Sequence, residues 1–404
     1  MSLLLGKKIL LGISGGIAAY KCAHLVRAFI KKGAQVKVVM TEAAKDFITP
    51  LTLSTLSKHP VLSTFTNQED DNELWNNHVD LGLWADYFVI APATANTLSK
   101  MAHGQCDNLL IATYLSAKCP VFVAPAMDLD MYKHPSTTTS LDLLKANKNS
   151  IIPAASGELA SGLVGQGRMA EPEAIVNHVV SYIKNSLPLN GKKVLVTAGP
   201  TYEAIDPVRF IGNHSSGKMG FAIASAAAHL GASVILISGP TALSLTHHAI
   251  DIHNVTSAEE MYHKCHQFFS DVDIAIMSSA VADYRPKNVA TSKIKKSETT
   301  FTIELEKTKD ILKSLGDIKT HQYLVGFALE TDNELEHAKN KLAQKNLNLI
   351  VLNSLNDEGT GFGFSTNKVT FITNNGEVLA QDLKSKTQVA QDLFKLILEQ
   401  HDVS

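Results

Sequence analysis

6-GKKILLGISGGIAAYKCAHLVRAFIKKGAQVKVVM-40 holds a short apolar run, a break at Gly15 and Gly16, and then apolar residues at helical spacing: Ala19, Cys22, Leu25, Val26 and Phe29. A second run, Val36 to Met40, follows Gly33 and Ala34 at once. Strand, glycine turn, helix and strand predict a β-α-β unit, and with it a parallel sheet, since a parallel return needs a crossover rather than a tight hairpin. The pattern recurs in the second half, where 191-GKKVLV-196 and 231-GASVILI-237 repeat 6-GKKILL-11 and 33-GAQVKVV-39. Gly6 and Gly33 lie 27 positions apart, Gly191 and Gly231 40, so the second crossover is the longer by 13 residues. The surplus falls around 199-GPTYEAIDPVRFIGNHSSGKMG-220, which has the polarity of a site rather than of a core.

Further buried-strand candidates are 87-YFVIA-91 and 120-PVFVAPA-126 in the first half, and 272-VDIAIM-277, 323-YLVGFA-328, 348-NLIVLN-353 and 368-KVTFIT-373 in the second. The polar segment 184-KNSLPLNGK-192, with one Pro and one Gly, reads as a linker. The expectation is two α/β domains, residues 1–186 and 191–404, with an irregular flap from about 284 to 300. Ligands of such folds gather at the carboxyl ends of the strands.

The 404 residues carry 37 Lys+Arg against 39 Asp+Glu, a formal charge of -2, so no global field draws the chain to nucleic acid or to an anionic membrane. No apolar run approaches the ~18 residues of a membrane span. Four cysteines (Cys22, Cys106, Cys119, Cys265), none in CxxC spacing, argue against a disulfide scaffold or a structural zinc and for a reducing, cytoplasmic setting.

Several segments carry chemistry. Ser14-Gly15-Gly16 at a helix mouth serves either a phosphate, through backbone N–H groups and the helix dipole, or only a tight turn. It lacks the GxGxxG order of a dinucleotide site, and the small residues of 91-APATANT-97 suit a mononucleotide such as FMN. His78 is either catalytic or a surface histidine, and Asp128 either a site residue or a turn cap. The run 156-SGELASGLVGQGRM-169 is a loop that closes over a ligand or merely covers surface. Ser215 to Lys218 fails the P-loop order, yet Asn213 to Gly220 opens a helix and offers either an anion site or an unliganded cap. Asp283 offers a carboxylate for a divalent cation, and Lys293 to Lys296 a basic cluster for phosphates.

Taken together, SGGIAAYK (14–21), NHVDLGLWAD (77–86), APATANT, PAMDLDMY (125–132), TAGPTYEAIDPVRFIGNHSSGKMGFAIA (197–224), AVADYRP (280–286), KIKK (293–296) and GFALET (326–331) resemble one family, in order and over nearly the whole chain. It is the bacterial bifunctional phosphopantothenoylcysteine decarboxylase/phosphopantothenate-cysteine ligase of coenzyme A biosynthesis. The resemblance implies a flavodoxin-like, FMN-dependent decarboxylase followed by a Rossmann-like ligase that uses CTP and Mg2+. His78 matches the family's active-site histidine; Ser14, Gly15, Gly16, Thr41, Ala93, Thr94, Ala95 and Asn96 match its FMN cradle; Asn213 matches the ligase asparagine. Met277, Ser278, Ser279, Asp283 (also the metal carboxylate), Lys293, Lys309, Asp310, Ile311, Leu312, Phe327, Lys341 and Lys345 fall on nucleotide positions.

The expected ligase reaction joins 4'-phosphopantothenate to L-cysteine through an acyl-cytidylate, and the decarboxylase then yields 4'-phosphopantetheine. Assembly is expected as trimers through the first half and dimers through the second, giving a dodecamer. Two departures stand out: Asp128 and Tyr132 replace the Asn and Trp of PxMNxxMW, and Ser161 occupies the place of a flap cysteine. With serine a poor acid, Glu158 or Asp128 becomes the expected proton donor. A chain that is ligase only, its flavin half kept for assembly or binding, is the alternative, while the intact ligase motif argues against a purely regulatory subunit.

Overall fold

Continuous Ile, Leu and Val runs, buried on both faces, build the central strands of each half, as expected where helices cover a parallel sheet on both sides. This computed structural model describes residues 2–66, 75–295, 301–330, 332–354 and 363–400. Lys296 and Thr331 of the motifs above lie outside the described residues. Two compact units divide between Asn185 and Ser186.

The first unit runs β1 (Lys8–Ile13), α1 (Cys22–Lys31), β2 (Gln35–Met40), α2 (Pro50–Ser57), β3 (Val61–Leu62), α3 (His78–Trp84), β4 (Tyr87–Ala93), α4 (Ala95–His103), α5 (Leu109–Ser116), β5 (Val121–Pro125), α6 (Leu129–Lys133), α7 (Pro135–Ala146) and β6 (Ser150–Ile151). A hairpin of β7 (Ala155–Glu158) and β8 (Val164–Arg168) and the helix α8 (Pro172–Asn185) complete it. The sheet order is β3-β2-β1-β4-β5-β6, with every pairing parallel. One apolar layer joins the sheet to α1, α2 and α8, and the other joins it to α3, α4, α5 and α7. Fully buried Phe29, Phe88 and Phe122 anchor these layers, each contributing about 1.5–3 kcal/mol of transfer free energy. The strand order reverses between β1 and β4, so the loops after these two strands open side by side, where α/β sheets hold ligands.

The second unit runs β9 (Lys193–Ala198), a hairpin of β10 (Tyr202–Ala204) and β11 (Phe210–Gly212), α9 (Lys218–His229), β12 (Ser233–Ser238), β13 (Ile250–Asn254), α10 (Ala258–Phe269) and β14 (Ile274–Met277). It continues through β15 (Tyr284–Pro286), β16 (Leu305–Lys307), α11 (Ile311–Ile318), β17 (Tyr323–Glu330), α12 (Glu334–Gln344), β18 (Leu349–Ser354), β19 (Thr366–Asn367), β20 (Val369–Thr373), β21 (Val378–Ala380), β22 (Lys384–Ser385) and α13 (Lys386–Gln400). The main sheet is β13-β12-β9-β14-β17-β18-β20-β21, parallel from β13 to β18 and antiparallel for the last two strands. Helices α9 and α13 pack on one face, α10, α11 and α12 on the other.

Here the order reverses between β9 and β14. Gly217, at φ 78, sits in the left-handed region as the N-cap of α9, so the helix starts at Lys218, inside the stretch expected to open it. Gly220 lets that start press on β9: a Cβ there would lie 2.5 Å from the Ala198 Cβ. The stretch expected to be irregular from 284 begins instead as β15, because β16 pairs with it antiparallel and Arg285 meets Glu306 at 2.8 Å across the ladder.

Candidate functional site

The switch point of the first sheet opens into a cavity of about 880 Å3. Gly15, Gly16, Thr41, Thr94, Ala95 and Asn96 line it, with Asp128, Glu158 and Ser161 on the side of α6 and the β7–β8 hairpin. A Cβ on Gly15 would stand 2.8 Å from the carbonyl oxygen of Ala43, which is why glycine is required there. Thr94, the N-cap of α4, makes no side-chain cap bond, leaving the first-turn N–H groups of that helix turned to the cavity mouth. The Thr41 hydroxyl is buried without a partner among the described residues. An uncapped helix start beside an orphaned hydroxyl is the donor set a phosphate ester needs, and Met127, Met131 and Met169 supply an apolar wall for a ring.

Two cradle residues stand behind this wall. The Ser14 hydroxyl donates to the Pro92 carbonyl (2.7 Å) and accepts from the Thr94 N–H (3.0 Å), so it shapes the α4 start and is already committed. Ala93 is fully buried at the end of β4. His78 does not line the cavity of its own chain either: it begins α3, with its Nδ1 buried and without a partner among the described residues and its ring edge-on to Phe65 and Trp75.

Asp128 caps α6, accepting the Leu129 N–H at 2.6 Å. Glu158 is exposed on β7, and Ser161 sits at the exposed tip of the hairpin. No cysteine is among the lining residues; Cys22 donates its thiol to the Ala91 carbonyl (3.1 Å), and burial pushes that thiol far up, away from acid–base use. Lys21, the last residue of the 14–21 motif, and Arg168, in the loop expected either to close over a ligand or to cover surface, line the cavity and both reach Glu171, at 2.7 and 3.5 Å, which ties the hairpin's base to the turn before α1.

In the second unit a smaller cavity, about 130 Å3, opens at the β9/β14 switch. Ser278, Ser279 and Phe327 line it. Thr197 organises its edge, its hydroxyl accepting the N–H groups of Ser278 (3.1 Å) and Ser279 (3.2 Å) while its carbonyl accepts the Ser278 hydroxyl (2.6 Å). Met277 and Ile311 belong instead to the core, with Leu312 packed against it. Asn213 donates its amide to the carbonyls of Ala280 (3.0 Å) and Val281 (3.2 Å), bracing the loop after β14.

Asp283 and Lys293 are both exposed. No group of three metal-ligating side chains exists among the described residues, so no preformed cage of such groups surrounds Asp283 there. The loop of Lys293 is pinned by Asp206, which accepts the Ile294 N–H at 3.1 Å while Arg209 donates to the Ile294 carbonyl. Burial alone would raise the Asp206 pKa, but the N–H groups of Val208, Ile294 and Arg209 and the Arg209 charge outweigh it and hold the carboxyl below its ordinary range. Its signal in the sequence was the Asp-Pro turn of 204-AIDPVRF-210.

The remaining lysines are engaged by carboxylates: Lys309 with Glu259 (3.5 Å), Lys345 with Asp310 (2.9 Å), and Lys341 with Glu330. Asp310 also caps α11 through the Lys313 N–H. Burial raises its pKa, yet the Lys345 bond, the Lys313 N–H and both lysine charges leave it below the usual range.

Two doubly wound units, one with a cavity of about 880 Å3 and one with a smaller polar pocket, each at the switch point of its sheet, define a fused flavoprotein-type α/β protein. The Flavoprotein family matches residues 2–184, and the DNA/pantothenate metabolism flavoprotein C-terminal domain matches residues 189–400. A coenzyme A biosynthesis bifunctional protein CoaBC from Bacillus subtilis is 44% identical, covering 97% of this chain and 96% of its own. Its Escherichia coli counterpart is 41% identical, over 99% of this chain and 98% of its own. A cysteine/cysteine sulfinic acid decarboxylase from an unknown prokaryotic organism is 52% identical, covering 87% of this chain and 99% of its own. The chain belongs to the coenzyme A biosynthesis bifunctional family, enzymes that join a decarboxylase to a ligase. No helix among the described residues is long and apolar enough to cross a membrane.

Proposed function

We propose that the second unit condenses 4'-phosphopantothenate with L-cysteine at the expense of CTP, and that the first decarboxylates the resulting 4'-phosphopantothenoylcysteine to 4'-phosphopantetheine with FMN, in the cytoplasm. The observation that carries this reading is a pair of cavities at the two switch points of a chain whose relatives align end to end. In the ligase step the pantothenate carboxylate attacks the α-phosphorus of CTP, forming an acyl-cytidylate as the bond to pyrophosphate breaks. The cysteine amine then attacks the acyl carbon, CMP leaves, and the amine gives up a proton. Asn213 would hold the carbonyl-rich loop that faces the acyl group, and Lys293 would offset phosphate charge. Mg2+, which typically takes one or two carboxylates plus substrate phosphates, would be held by Asp283.

FMN, when bound, would supply a two-electron acceptor for the cysteinyl thiol and, once CO2 has left, return the same two electrons to the decarboxylated product. The α4 start and Thr41 would hold its phosphate, Gly15 and Gly16 would admit it close to the backbone, and the methionines would exclude water. Asp128 and Glu158, which line the cavity, would return the proton. His78 stands outside its own chain's cavity, which supports an assembly in which a neighbouring subunit presents it, consistent with a dodecamer of trimers and dimers.

The test is incubation of purified protein with 4'-phosphopantothenate, cysteine, CTP and Mg2+, with products identified by mass. Formation of 4'-phosphopantetheine is expected; phosphopantothenoylcysteine that accumulates without CO2 leaves a ligase only. The 52% identical relative favours a second reading, in which the first unit acts on free cysteine or cysteine sulfinic acid. CO2 released from either amino acid without CTP would establish it.

A further inference from the structure

β14 ends at Met277, opposite Thr197 of β9, and among the described residues one isolated bridge, Pro200 with Ala280, continues the ladder beyond it. Backbone N–H and C=O groups that run past a strand end and stay out of water need other partners. Side chains supply them here.

The loop 278–283 is held almost residue by residue. The Thr197 hydroxyl accepts the N–H groups of Ser278 and Ser279, and Asn213 donates to the carbonyls of Ala280 and Val281. Thr201, four residues after Thr197 and fully buried, accepts the Ala282 N–H on its hydroxyl at 2.9 Å. Thr308, just past β16, donates its hydroxyl to the Ala282 carbonyl at 2.7 Å and its N–H to the Asp283 carbonyl at 2.9 Å. Ala282 is thus gripped at both of its backbone groups, by one threonine 81 positions earlier and another 26 positions later.

The residue type matters. A β-branched side chain is stiff at χ1, so each hydroxyl stays aimed at its backbone partner. Valine has the same shape but neither accepts nor donates. In place of Thr201 it would leave the N–H of Ala282, itself only 6% exposed, without its acceptor. Ser278, Ser279 and Ala280 of this loop line the 130 Å3 cavity together with Asn367 and Lys386, whereas Thr201 and Thr308 do not line it. Any influence of the two threonines on chemistry therefore passes through the backbone they hold.

We propose that Thr201 and Thr308 are positioning residues of the ligase, fixing the Ala282 backbone and with it the place of Asp283 and of the Asn213-bound carbonyls beside the reacting groups. The assignment rests on the ligase reading of this unit. A misplacement of about 1 Å can cost roughly 100-fold in rate. Contacts made only in the transition state act on kcat rather than on KM, so turnover should suffer more than substrate affinity.

The full chain is assayed for pyrophosphate release with 4'-phosphopantothenate, cysteine, CTP and Mg2+. Thr201→Val and Thr308→Val should each lower kcat at least tenfold and keep KM for CTP and cysteine within threefold, while Thr201→Ser and Thr308→Ser stay within threefold of the wild-type kcat. Hydrogen exchange by mass spectrometry should be at least tenfold faster over residues 280–284 in both valine variants. Wild-type kcat in the valine variants overturns the proposal, as does a loss carried by KM. Serine variants as slow as the valine ones overturn it too, since the threonines would then act by packing and not by their hydroxyls. Should Thr201→Val not fold by circular dichroism, the half-buried Thr308→Val decides by the same measures. Exchange needs no turnover: a wild-type chain that makes no ligase product refutes the ligase reading, and unchanged exchange in the valine variants refutes the grip of the threonines on the loop.

Discussion

Thr41→Val removes a hydroxyl and keeps the side chain's shape, and its two consequences have opposite signs. The Thr41 hydroxyl is buried without a partner among the described residues, and an unmet buried polar group costs about 1–3 kcal/mol. Valine relieves that cost, so the flavin-free variant should be more stable by about 1 kcal/mol. If the hydroxyl instead finds its partner in the flavin phosphate, the lost bond to a charged group is worth about 1.5–3 kcal/mol, which at 1.4 kcal/mol per decade weakens FMN by roughly 10- to 100-fold. Trp75 and Trp84 are the chain's only tryptophans and both lie in the first unit. Tryptophan fluorescence during urea unfolding therefore reports that unit by itself, and flavin quenching gives the affinity. A variant with the wild-type urea midpoint and an FMN affinity within twofold of wild type would refute the reasoning.

Asp206→Asn should loosen the Lys293 loop and lower ligase turnover at least tenfold while CO2 release from supplied phosphopantothenoylcysteine is unchanged. Because the Asp206 carboxyl is held below its ordinary range, its stabilisation is present above about pH 4 and lost as pH falls through the lowered value; circular dichroism should show a flatter acid limb in the variant. Lys293→Ala, at an exposed loop position, should leave the melting temperature in place, as such substitutions usually do, and cut ligase turnover tenfold or more; unchanged turnover removes Lys293 from the site. In the decarboxylase, Asp128→Asn or Glu158→Gln should let an oxidised, decarboxylated product accumulate by mass, with a smaller effect from Ser161→Ala. The reverse ranking would make the Ser161 hydroxyl, or water held by it, the proton donor. Light scattering at micromolar concentration should report a large oligomer, and a monomer would leave His78 no route to the cavity.

Sequence alone determined what depends on neighbours along the chain. Apolar runs broken by glycine and followed by helical spacing specify strand, turn and helix locally, and the repeat of 6-GKKILL-11 as 191-GKKVLV-196 was enough to announce two doubly wound units. The 199–220 stretch was legible as a site because its polarity has no place in a core. Tertiary structure decided what depends on distance. Ser14 read as a phosphate donor until β4, 78 residues on, brought Pro92 and Thr94 to its hydroxyl. Lys309, Lys341 and Lys345 were nucleotide positions by resemblance alone, and folding sets Glu259, Glu330 and Asp310 beside them. Asn367 and Lys386 carried no motif at all: they reach the cavity only because the chain passes antiparallel beside β18 and returns in α13, on the face where α9 begins. A hydrogen bond or ion pair is a statement about a few ångströms, and in a parallel α/β sheet those few ångströms join residues that stand far apart in the sequence, as Ser14 and Pro92 do.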